Sequence, residues 1–474
     1  MRIFELTATV ALIAYLLCQL SPHRDGYPWL SGLLFLCIPI VVLHGLLEGA
    51  RWQMLPIYVV LILGLSWEAA LQWTMDTQAQ YVVSWSALCC VGIGVLLSTI
   101  FPVFELPSPT GPNPVGTSIR HFVDGNRGNS ADPRGPRELM VQIWYPADRS
   151  FKGKLAKYQQ RESTAAWDAR FSLVTTHSII DATMARSETR YPVLLYVPSW
   201  NGMRTENTHL AEQLASQGYV VVGIDHPYGS YATVLPDGQV IKSKLLDEDF
   251  YATEASFNRF LKTAETEIRT RAEDARFVVD ALEELDAAGP TEPFAHRLDL
   301  NSVGIFGFSL GGGVAAQTCW LDRRFKACLN MDGFMACESL EHGAIAPLFF
   351  MSEIDPVPAD GLEQLSLSKR REKALDWEQF AQARKLFSTF GGYWLTIKPS
   401  KHFNFSDYVF SSPIHFFSRS GAIDPTRAAR TIDRYSFAFF ELYLRGGNQP
   451  LLDKMIRDSA EIRFEKVALV PERQ

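Results

Sequence analysis

An apolar, strand-like run, Val303-Gly-Ile-Phe-Gly-Phe, leads into Ser309 within the pentapeptide Gly307-Phe-Ser-Leu-Gly311, and a helix-forming stretch of small residues follows. A serine of ordinary pKa is a poor nucleophile. On a sharp strand-to-helix turn its hydroxyl projects from the sheet edge, and the first N–H groups of the next helix face any oxyanion that forms. The bland alternative is a plain glycine-rich turn. If Ser309 attacks, a histidine must take its proton and an acid must orient that histidine. In the chain order that goes with this turn both lie downstream. Only His342, His402 and His415 follow Ser309. His402, in PSKHFNFSD just past a predicted strand at 393–397, is best placed. His342 follows too closely on the preceding strand, and His415, in the aromatic run IHFF, reads as a packed core residue. Two acids compete: Asp332 ends a predicted strand at 327–331, and Asp355 follows the next one at 348–352. Spacing alone leaves both open. Asp225-His226, at another strand end, reads as a loop anchor.

The elements that must hold these residues alternate short β-branched runs with longer amphipathic stretches, which means an α/β architecture. Strands are expected near 140–145, 193–197, 219–225, 303–306, 327–331, 348–352 and 393–397. Their near-continuous apolar character suits a mostly parallel sheet covered on both faces. Helices are expected at 207–217, within 253–285, and at 310–320, 376–387 and 427–443. Gly125 to Arg137 (GNRGNSADPRGPR) reads as a mobile surface loop. The Pro- and Gly-rich ELPSPTGPNPVGT marks a boundary, giving domains 1–104 and 105–474.

Of the 474 residues, 45 are Lys or Arg and 52 Asp or Glu, yet only eight of these charges fall in the first 104 residues. Four apolar stretches there, 3–20, 29–47, 54–73 and 81–104, approach the ~20 residues that cross a bilayer, and a bundle of about four transmembrane helices is expected. Trp29, Trp52, Trp73 and Trp85 lie near the proposed ends. Arg2 and Arg51 favour a cytoplasmic catalytic domain on a multi-pass integral membrane protein, although Arg24 counts the other way. Glu68, inside the third stretch, should face other helices. A net charge of −7 without a basic run excludes nucleic acid as partner. The seven cysteines show no metal-ligand spacing, so neither a disulfide framework nor a zinc site is expected.

Several segments resemble the platelet-activating factor acetylhydrolase family of the plasma and intracellular type II kind: PSPTGPNPVGTSIRHFVD, RELMVQIWYPA, PVLLYVPSWNGMRTENTHLAEQLASQGYVVVGIDHPYGS, GFSLGGG, CLNMDGF and KPSKHFNFSD. They span nearly all of 105–410 in the family's order. The resemblance implies an α/β-hydrolase fold and a serine esterase, with Ser309 as nucleophile, His402 as base and Asp332 as acid. The backbone N–H groups of Leu310 and Trp200 would form the oxyanion hole. It also implies short or oxidised acyl esters, including phospholipid esters, as substrate, and no metal or organic cofactor. Phe403, Phe405, Tyr408, Phe410, Phe416 and Phe417 are candidates for an acyl pocket. The chain departs from the family at Phe308, where His is common, and at Pro198-Ser199, where His-Gly is usual. A reading from another class is a catalytically silent, membrane-tethered sensor or scaffold.

Overall fold

Along each central strand, successive apolar side chains are shared between two cores. Val193, Leu195 and Val197 enter one, whereas Leu194 and Tyr196 enter the other. That period of two, apolar on both faces, requires a sheet covered on both sides. The computed structural model describes residues 2–21, 30–69, 77–128, 135–187, 189–245, 249–353, 362–456 and 461–467. The chain divides into two units: Met1–Glu105 with Thr164–Val174 and Phe410–Ser418, and the remaining residues from Leu106 onward.

The first unit is built on four apolar helices, α1 (Ile3–Gln19), α2 (Leu30–Leu43), α3 (Leu55–Ala69) and α4 (Thr77–Ile100). Leu12, Leu16, Leu34, Cys37, Ile57, Leu61 and Val91 pack between them. Other apolar side chains point outward, among them Ile3 at 72% and Leu46 at 77% exposure. Four spans were expected; two segments, Ser31–Glu48 and Gln78–Ile100, are long and apolar enough to cross a membrane. The apolar segments Ile3–Gln19 and Trp52–Glu68 are shorter. Seventeen helical residues rise about 25 Å, less than the ~30 Å hydrocarbon core.

Several buried polar groups inside this unit are paired, although the Gln53 side-chain amide has no hydrogen-bond partner among the described residues. Fully buried Glu5 accepts from Arg51 Nε (2.7 Å) and Nη2 (2.8 Å) and from Arg2 Nη2 (2.7 Å). Glu5, His44 and Glu48 bring possible ligand atoms within 4.8 Å of one another, but the two guanidinium groups on Glu5 already supply the compensating charge. Glu68 faces other helices, as expected, and accepts from Tyr15 Oη (2.7 Å) and Ser31 Oγ (2.9 Å). Arg170 donates to the carbonyls of Pro102 (2.8 Å) and Ser411 (2.9 Å), and the Phe101 and Phe417 rings meet at 5.0 Å, which ties the two later segments into the unit.

The second unit holds strands β1 (Val115–Gly128), β2 (Pro136–Pro146), β3 (Leu155–Lys157), β4 (Thr175–Ile180), β5 (Tyr191–Val197), β6 (Val220–Asp225), β7 (Ala232–Val234), β8 (Val240–Lys242), β9 (Leu298–Phe308), β10 (Phe325–Met331), β11 (Leu348–Ser352), β12 (Gly392–Ile397) and β13 (Ile462–Val467). Eleven of them form one sheet in the order β13-β12-β11-β10-β9-β5-β6-β2-β1-β4-β3. From β6 through β5 and β9 to β12 every pairing is parallel; β2 and β13 join antiparallel at the two flanks. Helices α5 (Thr208–Ser216) and Pro425–Arg445 cover one face, and α6 (Glu254–Asp286) and α7 (Leu310–Leu321) cover the other.

Two expectations are corrected here. Cys319, in α7, and Cys328, in β10, are joined in a disulfide. The strand after the helix brings them together, a proximity their spacing of nine residues does not announce. The 125–137 stretch is less of a free loop than expected. Residues 129–134 lie outside the described residues, but the flanking ends belong to β1 and β2, and Arg137 is buried against Asp274, a carboxylate that also pairs with Arg127 and His226.

Candidate active site

Ser309 sits between β9 and α7 with φ 56° and ψ −124°, a conformation that non-glycine residues rarely adopt. Its neighbours make the turn possible. A Cβ on Gly307 would lie 2.1 Å from the Gly311 carbonyl oxygen, and one on Gly311 would lie 2.0 Å from that of Val197. The turn therefore closes only with glycine at both places, and it draws the start of α7 against the end of β5. The Ser309 N–H donates to Met331 O at 2.9 Å, coupling the turn to the end of β10.

At that end stands Asp332, itself at φ 53°. Its Oδ2 accepts from His402 Nδ1 at 2.6 Å, and its Oδ1 from the Glu353 N–H at 3.0 Å. His402 Nε2 lies 2.9 Å from Ser309 Oγ. Three side chains far apart in sequence thus form one chain of hydrogen bonds at the carboxyl edge of parallel strands. The imidazole keeps 38% of its side-chain surface exposed, enough for a reacting group to reach it, while its ring packs against Phe308 at 4.6 Å. Burial lowers the imidazole pKa, but the Asp332 hydrogen bond and charge, together with Glu353 and Glu206, raise it above its ordinary value. Burial and then the Asp332 charge push Glu353 up to about 7. Sequence reasoning missed Glu353; its place directly after β11 was the available signal.

The other candidates separate. Asp355 lies outside the described residues. His342 stacks on Trp320. His415, expected in the core, is exposed in the first unit, because its short helix turns it outward. The six aromatic residues suggested for an acyl pocket do not share a place. Phe405 is core at 1% exposure, Phe416 is 81% exposed, and Phe410, Phe416 and Phe417 belong to the first unit. Another aromatic group stands beside the candidate oxyanion loop: Trp200 meets Phe250 and Phe260, each at 5.3 Å, and Phe334 follows at 6.2 Å from Phe260.

Both proposed oxyanion donors occupy suitable backbone. The Leu310 N–H opens α7, where no residue of its own helix can accept it. Trp200 lies in the loop after β5, whose Ser199 N–H is taken by Glu206 Oε2 (2.9 Å) and Gly202 N–H by Ser199 O (3.0 Å). Asp225 and His226 serve neither role. Asp225 binds the Arg204 guanidinium, and His226 Nδ1 meets Asp274 Oδ2 at 2.8 Å.

A family model for platelet-activating factor acetylhydrolase, isoform II, matches residues 105–449. The guinea pig (Cavia porcellus) platelet-activating factor acetylhydrolase is 24% identical over 388 residues, covering 74% of this chain and 80% of that protein. A probable 1-alkyl-2-acetylglycerophosphocholine esterase of the fungus Arthroderma benhamiae is 23% identical over 283 residues, covering 55% of this chain and 67% of its own length. Among solved structures, a ferulic acid esterase from Streptomyces cinnamoneus superposes with a TM-score of 0.59 at 28% identity, covering 77% of this chain and 99% of that one.

Proposed function

Since the chain belongs to the platelet-activating factor acetylhydrolase, isoform II, family and is a carboxylic ester hydrolase, we propose that it cleaves esters through an acyl-enzyme on Ser309, with His402 as general base and Asp332 as its orienting acid. The observation that carries this reading is the continuous Asp332–His402–Ser309 hydrogen-bond chain, at 2.6 and 2.9 Å. His402 accepts the Ser309 proton as Oγ attacks the ester carbonyl carbon. The Leu310 and Trp200 N–H groups hold the tetrahedral oxyanion. The imidazolium then protonates the departing alcohol oxygen, and water repeats the sequence on the acyl-enzyme.

The substrate class we propose is an ester with a short or oxidised acyl group, phospholipid esters included. One relative is named a platelet-activating factor acetylhydrolase and another a probable 1-alkyl-2-acetylglycerophosphocholine esterase, and the aromatic group led by Trp200 stands beside the oxyanion loop. The helical unit would hold the enzyme at a bilayer as a multi-pass anchor, its outward Ile and Leu side chains meeting lipid. Arg2 and Arg51 favour the cytoplasmic side for the catalytic unit. One observation favours the opposite side: a Cys319–Cys328 disulfide suits an oxidising compartment. Thiol alkylation in intact cells, with and without prior reduction, decides between the two.

Ser309→Ala is the direct test of the chemistry. Hydrolysis of p-nitrophenyl acetate should fall by about 10⁴-fold or more while the fold is kept; unchanged turnover would remove Ser309 as the nucleophile, and a parent chain without turnover would leave the silent scaffold as the better reading.

A further inference from the structure

Two buried charged side chains have no part in the proposed acyl transfer, and between them they hold four atoms of the loop after β5. Glu206, 3% exposed, accepts the Ser199 N–H on Oε2 at 2.9 Å and the Ser199 hydroxyl on Oε1 at 2.7 Å. Tyr196 Oη adds a longer contact to Oε2 at 3.4 Å and itself accepts from Asn207 Nδ2 at 2.9 Å. Arg271, fully buried on α6, donates Nη1 to Ser199 O at 2.9 Å and to Pro198 O at 3.3 Å, with Nη2 on Gly229 O at 2.9 Å. The Ser199 amide and hydroxyl are therefore fixed by the carboxylate, and the Pro198 and Ser199 carbonyls by the guanidinium.

This arrangement leaves the loop few options. Pro198 has no N–H, the Ser199 N–H is consumed, and Trp200 carries the next one. A Cβ on Gly202 would stand 2.3 Å from Glu206 Oε2, so the carboxylate fills the space a side chain there would take. Asn201, next to Trp200, is held at φ 58°, a conformation that persists only where the surroundings enforce it. The main chain of the same residue is tied to the segment after the base. The Glu206 carbonyl accepts the Asp407 N–H at 3.0 Å, five residues past His402. The family's usual His-Gly at this point is Pro198-Ser199 here, and Ser199 supplies both of the donors that Glu206 binds.

We infer that Glu206 is a positioning residue for the oxyanion hole: acting through Ser199, and opposed by Arg271 on the carbonyls, its carboxylate sets the direction of the Trp200 N–H without touching substrate. The inference rests on the Ser309 esterase reading. Pre-aimed donors stabilise the transition state more than the bound ester, so loss of the aim should reduce kcat more than it raises KM.

The test uses the full chain in detergent with p-nitrophenyl acetate, comparing Glu206→Ala, Glu206→Gln and Ser199→Ala. Small displacements of catalytic groups cost about 100-fold, so Glu206→Ala should lower kcat by about that factor with KM within about threefold. Glu206→Gln keeps an oxygen for the Ser199 N–H and should recover at least about tenfold of the loss; Ser199→Ala, which keeps the amide bond, should fall between the two. If Glu206→Ala does not fold, the glutamine and Ser199→Ala variants carry the test, both with kcat below the parent and KM unchanged. Wild-type kcat in all variants, or a rise in KM alone, would overturn the inference. Loss of Ser309 labelling by a fluorophosphonate in the parent enzyme would instead overturn the esterase reading, so the two failures are distinct.

Discussion

Two of the His–Asp pairs in the second unit differ in one respect: that of His402 meets a nucleophile and that of His226 does not. His402–Asp332 and His226–Asp274 have similar short contacts, 2.6 and 2.8 Å. The difference lies in what faces the far side of each ring. His402 Nε2 addresses Ser309 Oγ, and its side chain reaches solvent. His226 is fully buried, its Nε2 has no hydrogen-bond partner among the described residues, and Asp274 also carries Arg137 on Oδ2 at 2.6 Å. The electrostatics diverge accordingly. Burial, with the Arg271 and Arg137 charges, pushes His226 down to about 4 despite Asp274, whereas Asp332, Glu353 and Glu206 outweigh burial and lift His402. A ring that resists protonation serves as a neutral strut. One that welcomes a proton can act as a base.

The largest expected effect breaks the active pair. Asp332→Asn removes the charge that orients and stabilises the imidazolium and should lower kcat by about 10⁴-fold, measured with p-nitrophenyl acetate. If the Asp355 alternative held, the same substitution at Asp355 would be the costly one. Next comes the buried pair. Asp274→Asn leaves Arg137 with an uncompensated buried charge and should cost about 3 kcal/mol of stability or more, read by chemical denaturation. Turnover per folded molecule should stay near the parent's, and a loss comparable to that of Asp332→Asn would mean that the second pair is part of the chemistry.

The smallest effect concerns pH. His402 must be neutral to act as base, and its pKa is raised, so kcat/KM should climb with pH through a midpoint above 6.5 and be lost below it. Glu353 adds negative charge to that environment as it ionises near 7. Glu353→Gln should therefore move the midpoint down; a midpoint that stays fixed or rises would remove Glu353 from the base's surroundings. The pKa shift has the opposite sign at His226, yet it too favours higher pH. Its pKa is lowered from 6.5 to about 4, so the unfolded chain binds that proton first, and stability should decline as pH falls through that window.

The contrast also shows how much a sequence can disclose. Ser309 was legible because its signal is local: strand, glycine-flanked serine and small-residue helix are adjacent. His402 followed from chain order. Asp332 was not separable from Asp355 by spacing, since each follows a strand, and only resemblance to a family tipped the choice. The central strands were readable from their apolar runs, but β1 mixes Arg120, His121 and Asp124 among its apolar residues and β13 interleaves Arg463, Glu465 and Lys466, so neither is among the expected strands. Arg137, Asp274, Glu206 and Arg271 look like surface charges in the sequence. For Arg137, Asp274 and Arg271 burial depends on partners tens to more than a hundred residues away, and even the nearby Ser199 gives no periodic signal that Glu206 turns inward. The disulfide from α7 to β10 was hidden for the same reason.

The most direct test of the central claim is to map the adduct formed by a fluorophosphonate, by peptide mass spectrometry, on the parent chain and on His402→Ala. The account predicts a single phosphonylated peptide carrying the modification on Ser309, formed at least about 100-fold more slowly without the imidazole. An adduct on another residue, or Ser309 labelling at the same rate in both proteins, would contradict it.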